Sequence, residues 1–129
     1  MKTAIKLLPI VLLFLFAACD KENVKVDASS LPGTWKLSES YSSNGSKGSW
    51  TKSKDNLVVE FNSDGSFSGN AYPDYVSYSI KDGSTIVLLK KDKTEQNYAY
   101  GIKNGVLTMS PSGPIMCIEG CADHFNKIK

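Results

Sequence analysis

The chain has 129 residues, 41% of them hydrophobic, with 15 basic and 13 acidic side chains, a length that supports one folded domain and not two. All of the basic residues are lysines, and Lys90, Lys91 and Lys93 form the only tight basic group. Nucleic-acid recognition draws on a clustered basic surface and on bidentate arginine contacts, so composition argues against a nucleic-acid partner.

The N-terminus falls into three zones: positive charge at Lys2 and Lys6, an apolar run from Leu7 to Phe16 broken only by Pro9, and the small residues Ala17 and Ala18. This is the layout of a secretory signal, and the run is shorter than an ordinary membrane-spanning helix. A short anchor that is never cleaved is the competing reading. Phe16-Ala17-Ala18-Cys19 resembles the lipobox of bacterial lipoproteins, with phenylalanine where leucine is usual. The resemblance implies cleavage after residue 18 and acylation of Cys19 by palmitate-type chains. It also implies a cell-envelope location, periplasmic-facing or on the cell surface, with the membrane as partner. Removing residues 1–18 from 129 leaves 111 and takes Lys2 and Lys6 away, so thirteen basic residues face thirteen acidic ones.

Residues 19–30 read as the lipidated cysteine and a polar tether. Its roughly eleven flexible residues reach on the order of 20 Å. Asp20 and Glu22 are similar to surface-export signals of some Bacteroidetes lipoproteins; a merely soluble linker accounts for them equally.

From Leu31 to Lys129 the dominant period is two, which marks strands with one buried face. Trp35, Leu37, Glu39 and Tyr41 share a face, as do Leu57, Val59 and Phe61; Val76, Tyr78 and Ile80; and Tyr98, Tyr100 and Ile102. About eight strands are predicted, at 33–41, 57–62, 66–71, 75–81, 85–91, 95–103, 106–110 and 122–128, with 42–56 as a long first loop carrying an exposed Trp50. Asp64-Gly65, Asp82-Gly83 and Asn104-Gly105 supply the positive φ angles of tight hairpins. Sequential strands therefore pair, and the expected fold is all-β: a single antiparallel up-and-down meander. It buries its apolar face most simply by closing into a barrel, with an open β-sandwich as the alternative.

Gly33-Thr34-Trp35, at the start of the first strand, resembles the Gly-x-Trp motif of the lipocalin and calycin superfamily. The wider resemblance is to small lipocalin-like lipoproteins of the Bacteroidetes type, through the lipobox, the opening Leu31, Gly33, Trp35 and Leu37, and a cysteine-bearing C-terminus. It implies that Trp35 packs across the closed end of a barrel. The family commonly covers that tryptophan with arginine; here Lys127 or Lys129 would have to serve.

Cys117 and Cys121 form an even pair in an oxidising compartment and read as a disulfide, provided that the chain bends at Gly120. The sharper alternative is a zinc site completed by His124 and Asp123, which the export compartment and the lack of a second histidine disfavour. No catalytic constellation, metal or cofactor is expected: His124 is the only histidine, and no phosphate-cradling glycine loop occurs. Phe61, Phe67, Tyr78, Tyr98 and Tyr100 are expected to line the barrel with Trp35. Either they fill it or they surround a cavity for a small apolar or amphipathic ligand. Glu39, on the face of Trp35, would then sit inside and require a partner or lie at the rim. The functional expectation is ligand binding in the barrel. The rival is a filled barrel that contacts a protein or glycan through its loops.

Overall fold

The alternation is realised as strands throughout residues 29–129, which the computed structural model describes; no helix occurs among them. The segments are β1 (Gly33–Ser42), β2 (Ser49–Lys52), β3 (Val58–Phe61), β4 (Phe67–Ser68), β5 (Tyr75–Lys81), β6 (Thr85–Lys90), β7 (Glu95–Lys103), β8 (Val106–Gly113) and β9 (Cys121–Lys127). They form one antiparallel sheet in the order β4-β3-β1-β9-β8-β7-β6-β5, with β2 also on β1. β2 pairs with Glu39–Ser42 and β3 with Gly33–Lys36, on the edge of β1 opposite β9. The two segments thus share one of eight strand positions. Between them, Ser53 N still donates to Ser38 O (2.9 Å) and Leu37 N to Leu57 O (2.8 Å).

The predicted long loop is therefore shorter than expected. Within 42–56, Ser49–Lys52 form β2, and 43–48 make its connection to β1. Its serines and lysines hid the strand because β2 is exposed on every residue; polar side chains suit such an edge segment. The ladder comes around to a nearly closed barrel through the Ser66↔Ser77 bridge and the Tyr78 N to Gly65 O bond (2.9 Å). Asn104 and Gly105 have φ of 52° and 75°, as the two-residue β7–β8 hairpin turn requires.

Three register shifts interrupt the ladders, and those in β1 and β5 overturn the expected inward faces. The β1–β9 register runs Leu37↔Phe125 and then Glu39↔His124, so Ser38 is an extra residue. A one-residue slip exchanges the two faces of a strand. Trp35 and Leu37 stay inside, whereas beyond Ser38 it is Ser40, opposite Asp123, that turns in. The expectation that Glu39 shares the face of Trp35 is overturned: Glu39 and Tyr41 lie on the outer face. In β5 the register shifts between Tyr75 and Ser77, which puts Tyr75 against the core together with Tyr78 and leaves Val76, expected inside, 40% exposed.

The core runs the length of the barrel. Trp35, Val59, Phe61, Ile86, Leu88, Leu107, Met109 and Phe125 are at most 1% exposed. Trp35 closes one end, and its indole Nε1 donates to Leu31 O (2.8 Å). Lys127 Nζ stands 5.3 Å from the indole ring centroid and donates to Ser30 O (2.8 Å). Lysine thus supplies a cation–π contact on this tryptophan. Gly33, at φ 137°, is required there: a Cβ would run into the Lys129 carbonyl and the Lys127 side chain.

Candidate functional site

Inside the barrel, the residues proposed to line a cavity meet one another. Phe61 packs edge-on against Phe67 and against Tyr78, with both pairs of ring centroids 5.0 Å apart. Phe67 is 3% and Tyr98 9% exposed, while Tyr78 and Tyr100 are half-buried against the same cluster. Tyr78 OH donates to Asn62 O (2.7 Å). The open clefts of about 310 to 540 Å³ around the barrel are lined by other residues.

Toward the other end the interior turns polar. Asp123 accepts from Ser40 Oγ and from Tyr72 OH, each at 2.6 Å. Tyr72, from the β4–β5 connection, stacks on Tyr98 at 5.4 Å and meets Phe125 edge-on at 6.0 Å. Burial, then the Asp123 carboxylate, pushes the Tyr72 hydroxyl well above the ordinary tyrosine range, and burial followed by Tyr75 raises Tyr98. Buried Gln96 donates to Ile115 O (2.8 Å) and accepts from Ile115 N (3.1 Å), tying the β8–β9 connection over this end.

That connection holds the bridge. Cys117 and Cys121 are disulfide-bonded with Cα atoms 5.8 Å apart, and Gly120 bends the chain at φ 90°. Closing so short a loop contributes about 2 kcal/mol by chain entropy. The bonded cysteines are not free to join His124 at a metal, and among the described residues no group of three His, Cys, Asp or Glu side chains converges. The stapled loop holds Ile115, Met116 and Ile118 outward at 68%, 63% and 101% exposure.

The outer face of β1, β2 and β9 carries a second cluster. His124 Nδ1 lies 2.9 Å from Glu39 Oε1. Trp50 stacks on the His124 ring, with centroids 3.7 Å apart and planes 18° apart, and Tyr41 packs on Trp50 at 5.4 Å. Trp50 remains 40% exposed. Beside this stack lies an open groove of about 370 Å³ lined by Glu39, Lys103, Asn104, Val106, Thr108 and His124.

Of the predicted site residues, the structure brings Phe61, Phe67, Tyr78, Tyr98 and Tyr100 together as packing and sends Glu39 to the opposite face. Gly33 and Trp35 stand at the barrel end, and Cys117 and Cys121 are joined. Cys19, with residues 1–28, lies outside the described residues. Sequence reasoning missed Asp123 and Tyr72 as an interior pair and Glu39, His124 and Trp50 as an exterior trio. Both follow from strand register, and no local pattern announces them: Asp123 and His124 are both polar, yet one faces inward and the other outward. Comparison with protein-family models, with curated proteins and with solved structures finds no match.

Proposed function

We propose that this chain is a lipid-anchored, lipocalin-like lipoprotein of the bacterial cell envelope, tethered through Cys19. In this reading the barrel is a filled scaffold that presents its outer face and end loops to a protein or glycan. The observation that carries this reading is the interlocking of the interior rings: Phe61 against Phe67 and Tyr78, and Tyr72 against Tyr98 and Phe125. Rings packed edge to face against one another oppose the entry of a ligand between them, because a dense core repacks only at a cost. The projecting Ile115, Met116 and Ile118 support display, since exposed apolar clusters mark interaction sites.

The second reading is a small apolar or amphipathic ligand within the barrel. It is favoured by the Tyr72–Asp123 contact, which places a phenol and a carboxylate inside the barrel, where the polar group of an amphipathic ligand would find partners. Titrating the detergent-solubilised full chain with a fluorescent fatty acid separates the two. No saturable binding is expected, and native mass spectrometry of protein from its own cells is expected to show the bare mass. A retained lipophile or a saturable titration overturns the filled-scaffold reading in favour of the second.

A further inference from the structure

The exterior groove has a composition that selects among ligands. Its lining combines one carboxylate (Glu39), one ammonium (Lys103), an amide (Asn104), a hydroxyl (Thr108), an imidazole (His124) and one aliphatic patch (Val106). The formal charges of Glu39 and Lys103 cancel, which disfavours a strongly anionic or cationic ligand. Lys103 only donates, Glu39 only accepts, and Asn104 and Thr108 do both. Such a set matches a molecule whose own groups both donate and accept all around its rim.

The backbone adds a second constraint. The groove lies over β1, β9, β8 and the β7–β8 turn, strands already paired with one another. An extended peptide recognised by strand addition needs unpaired backbone groups at an edge, and this surface offers side chains instead. His124 is pre-oriented from both sides, by Glu39 on Nδ1 and by Trp50 on its ring face. Its Nε2 has no protein partner among the described residues and remains for a ligand hydroxyl.

We infer that this groove, lined by Glu39, Lys103, Asn104, Val106, Thr108 and His124, binds a neutral saccharide. The sugar C–H face lies on Val106 and the hydroxyls meet the polar rim. About 370 Å³ falls at the small end of ligand sites and suits one or two rings rather than a long chain. The inference rests on the filled-scaffold reading and names what that scaffold displays itself to.

Saturation-transfer difference NMR on the detergent-solubilised full chain tests it, with cellobiose, maltose, lactose and chitobiose as probes. At least one disaccharide is expected to receive saturation and to titrate to a plateau. Thr108→Val, nearly isosteric and on the outer face, is expected to weaken it about tenfold, the worth of one hydrogen bond, with an unchanged thermal midpoint. Glu39→Gln, which also loosens His124, is expected to weaken it at least as much. Transfer to none of the four sugars, or plateaus that neither variant shifts, overturns the inference. Because the fatty-acid titration concerns the interior, its outcome is independent: bare interior and no sugar binding removes the saccharide and leaves the scaffold.

Discussion

Trp35 and Trp50 are chemically identical and physically opposite. The first is wholly buried with its indole nitrogen bonded to Leu31, and the second lies 40% exposed across His124. Trp35→Ala is expected to destabilise by about 3–5 kcal/mol, as truncation of a core aromatic does. Trp50→Ala forfeits its exposed ring contacts with His124 and Tyr41 and is expected to cost about 0.5–1.5 kcal/mol; denaturant titrations of both variants measure the difference. Tyr72 gives a pH test. Its hydroxyl is buried against Asp123 and held neutral in the barrel, so the unfolded chain ionises first as pH rises past about 10. The stabilisation is complete below that value and is lost above it, toward the raised folded value. Tyr72→Phe is expected to shallow the alkaline fall in thermal midpoint, with Tyr98 retaining part of it. It is also expected to lower stability near neutrality by about 1.5–3 kcal/mol, because a bond to a charged acceptor is removed. The role of Trp35 was legible because glycine before a buried aromatic at a strand start is a local pattern. The role of Glu39 was not, because it depends on whether the residue just before it, Ser38, is accommodated in or out of a ladder.

At the scale of elements, hairpins and strand positions were readable wherever turn chemistry stood between alternating runs, as at Asn104-Gly105. Three features escaped, one of them the shift in β5 that turns Val76 outward. β2 has no apolar face to alternate and exists through its pairing with Glu39–Ser42. The bulge at Ser38 is set by β9, some eighty residues downstream, and parity counted from Trp35 failed one residue beyond it. The bulge is also what makes the chemistry of the two faces compatible, sending Asp123 and Ser40 inward together and Glu39 and His124 outward together. Deleting Ser38 removes the extra residue and forces a choice. Either Glu39 and Tyr41 turn into the core while Ser40 leaves Asp123, or the upper half of β1 slips against β9. Both outcomes bury or orphan a carboxylate. The expected result is a loss of at least about 3 kcal/mol, seen as a large drop in the denaturation midpoint, whereas Ser38→Ala, which keeps the residue count, loses only the bond from Ser38 Oγ to His124 O.

On the scale of the whole molecule, the described chain enters at the Trp35 end, and the stapled 115–118 loop stands at the other. If Cys19 carries the lipid, the tether joins the barrel at its closed end and the exposed apolar tip projects from the far pole. Cys19→Ala is accordingly expected to abolish incorporation of a labelled fatty acid and to move the protein out of the membrane fraction, since the polar tether has no membrane affinity of its own. An unlabelled wild-type chain refutes the anchor.

The closure between β4 and β5 has a kinetic consequence. Every other neighbouring pair in the barrel shares a ladder, but here a two-residue strand meets its partner through a single bridge and the Gly65–Tyr78 bond. Openings of lowest free energy concentrate where the fewest bonds must break, so amide exchange is expected to be fastest along this seam. Parting the seam also opens a way to the interior. A molecule that entered the barrel there would wait for the seam to part, and its observed association rate would level off at the opening rate as its concentration rose. A sugar in the groove outside would show no such ceiling, and stopped-flow traces alone tell one occupant from the other.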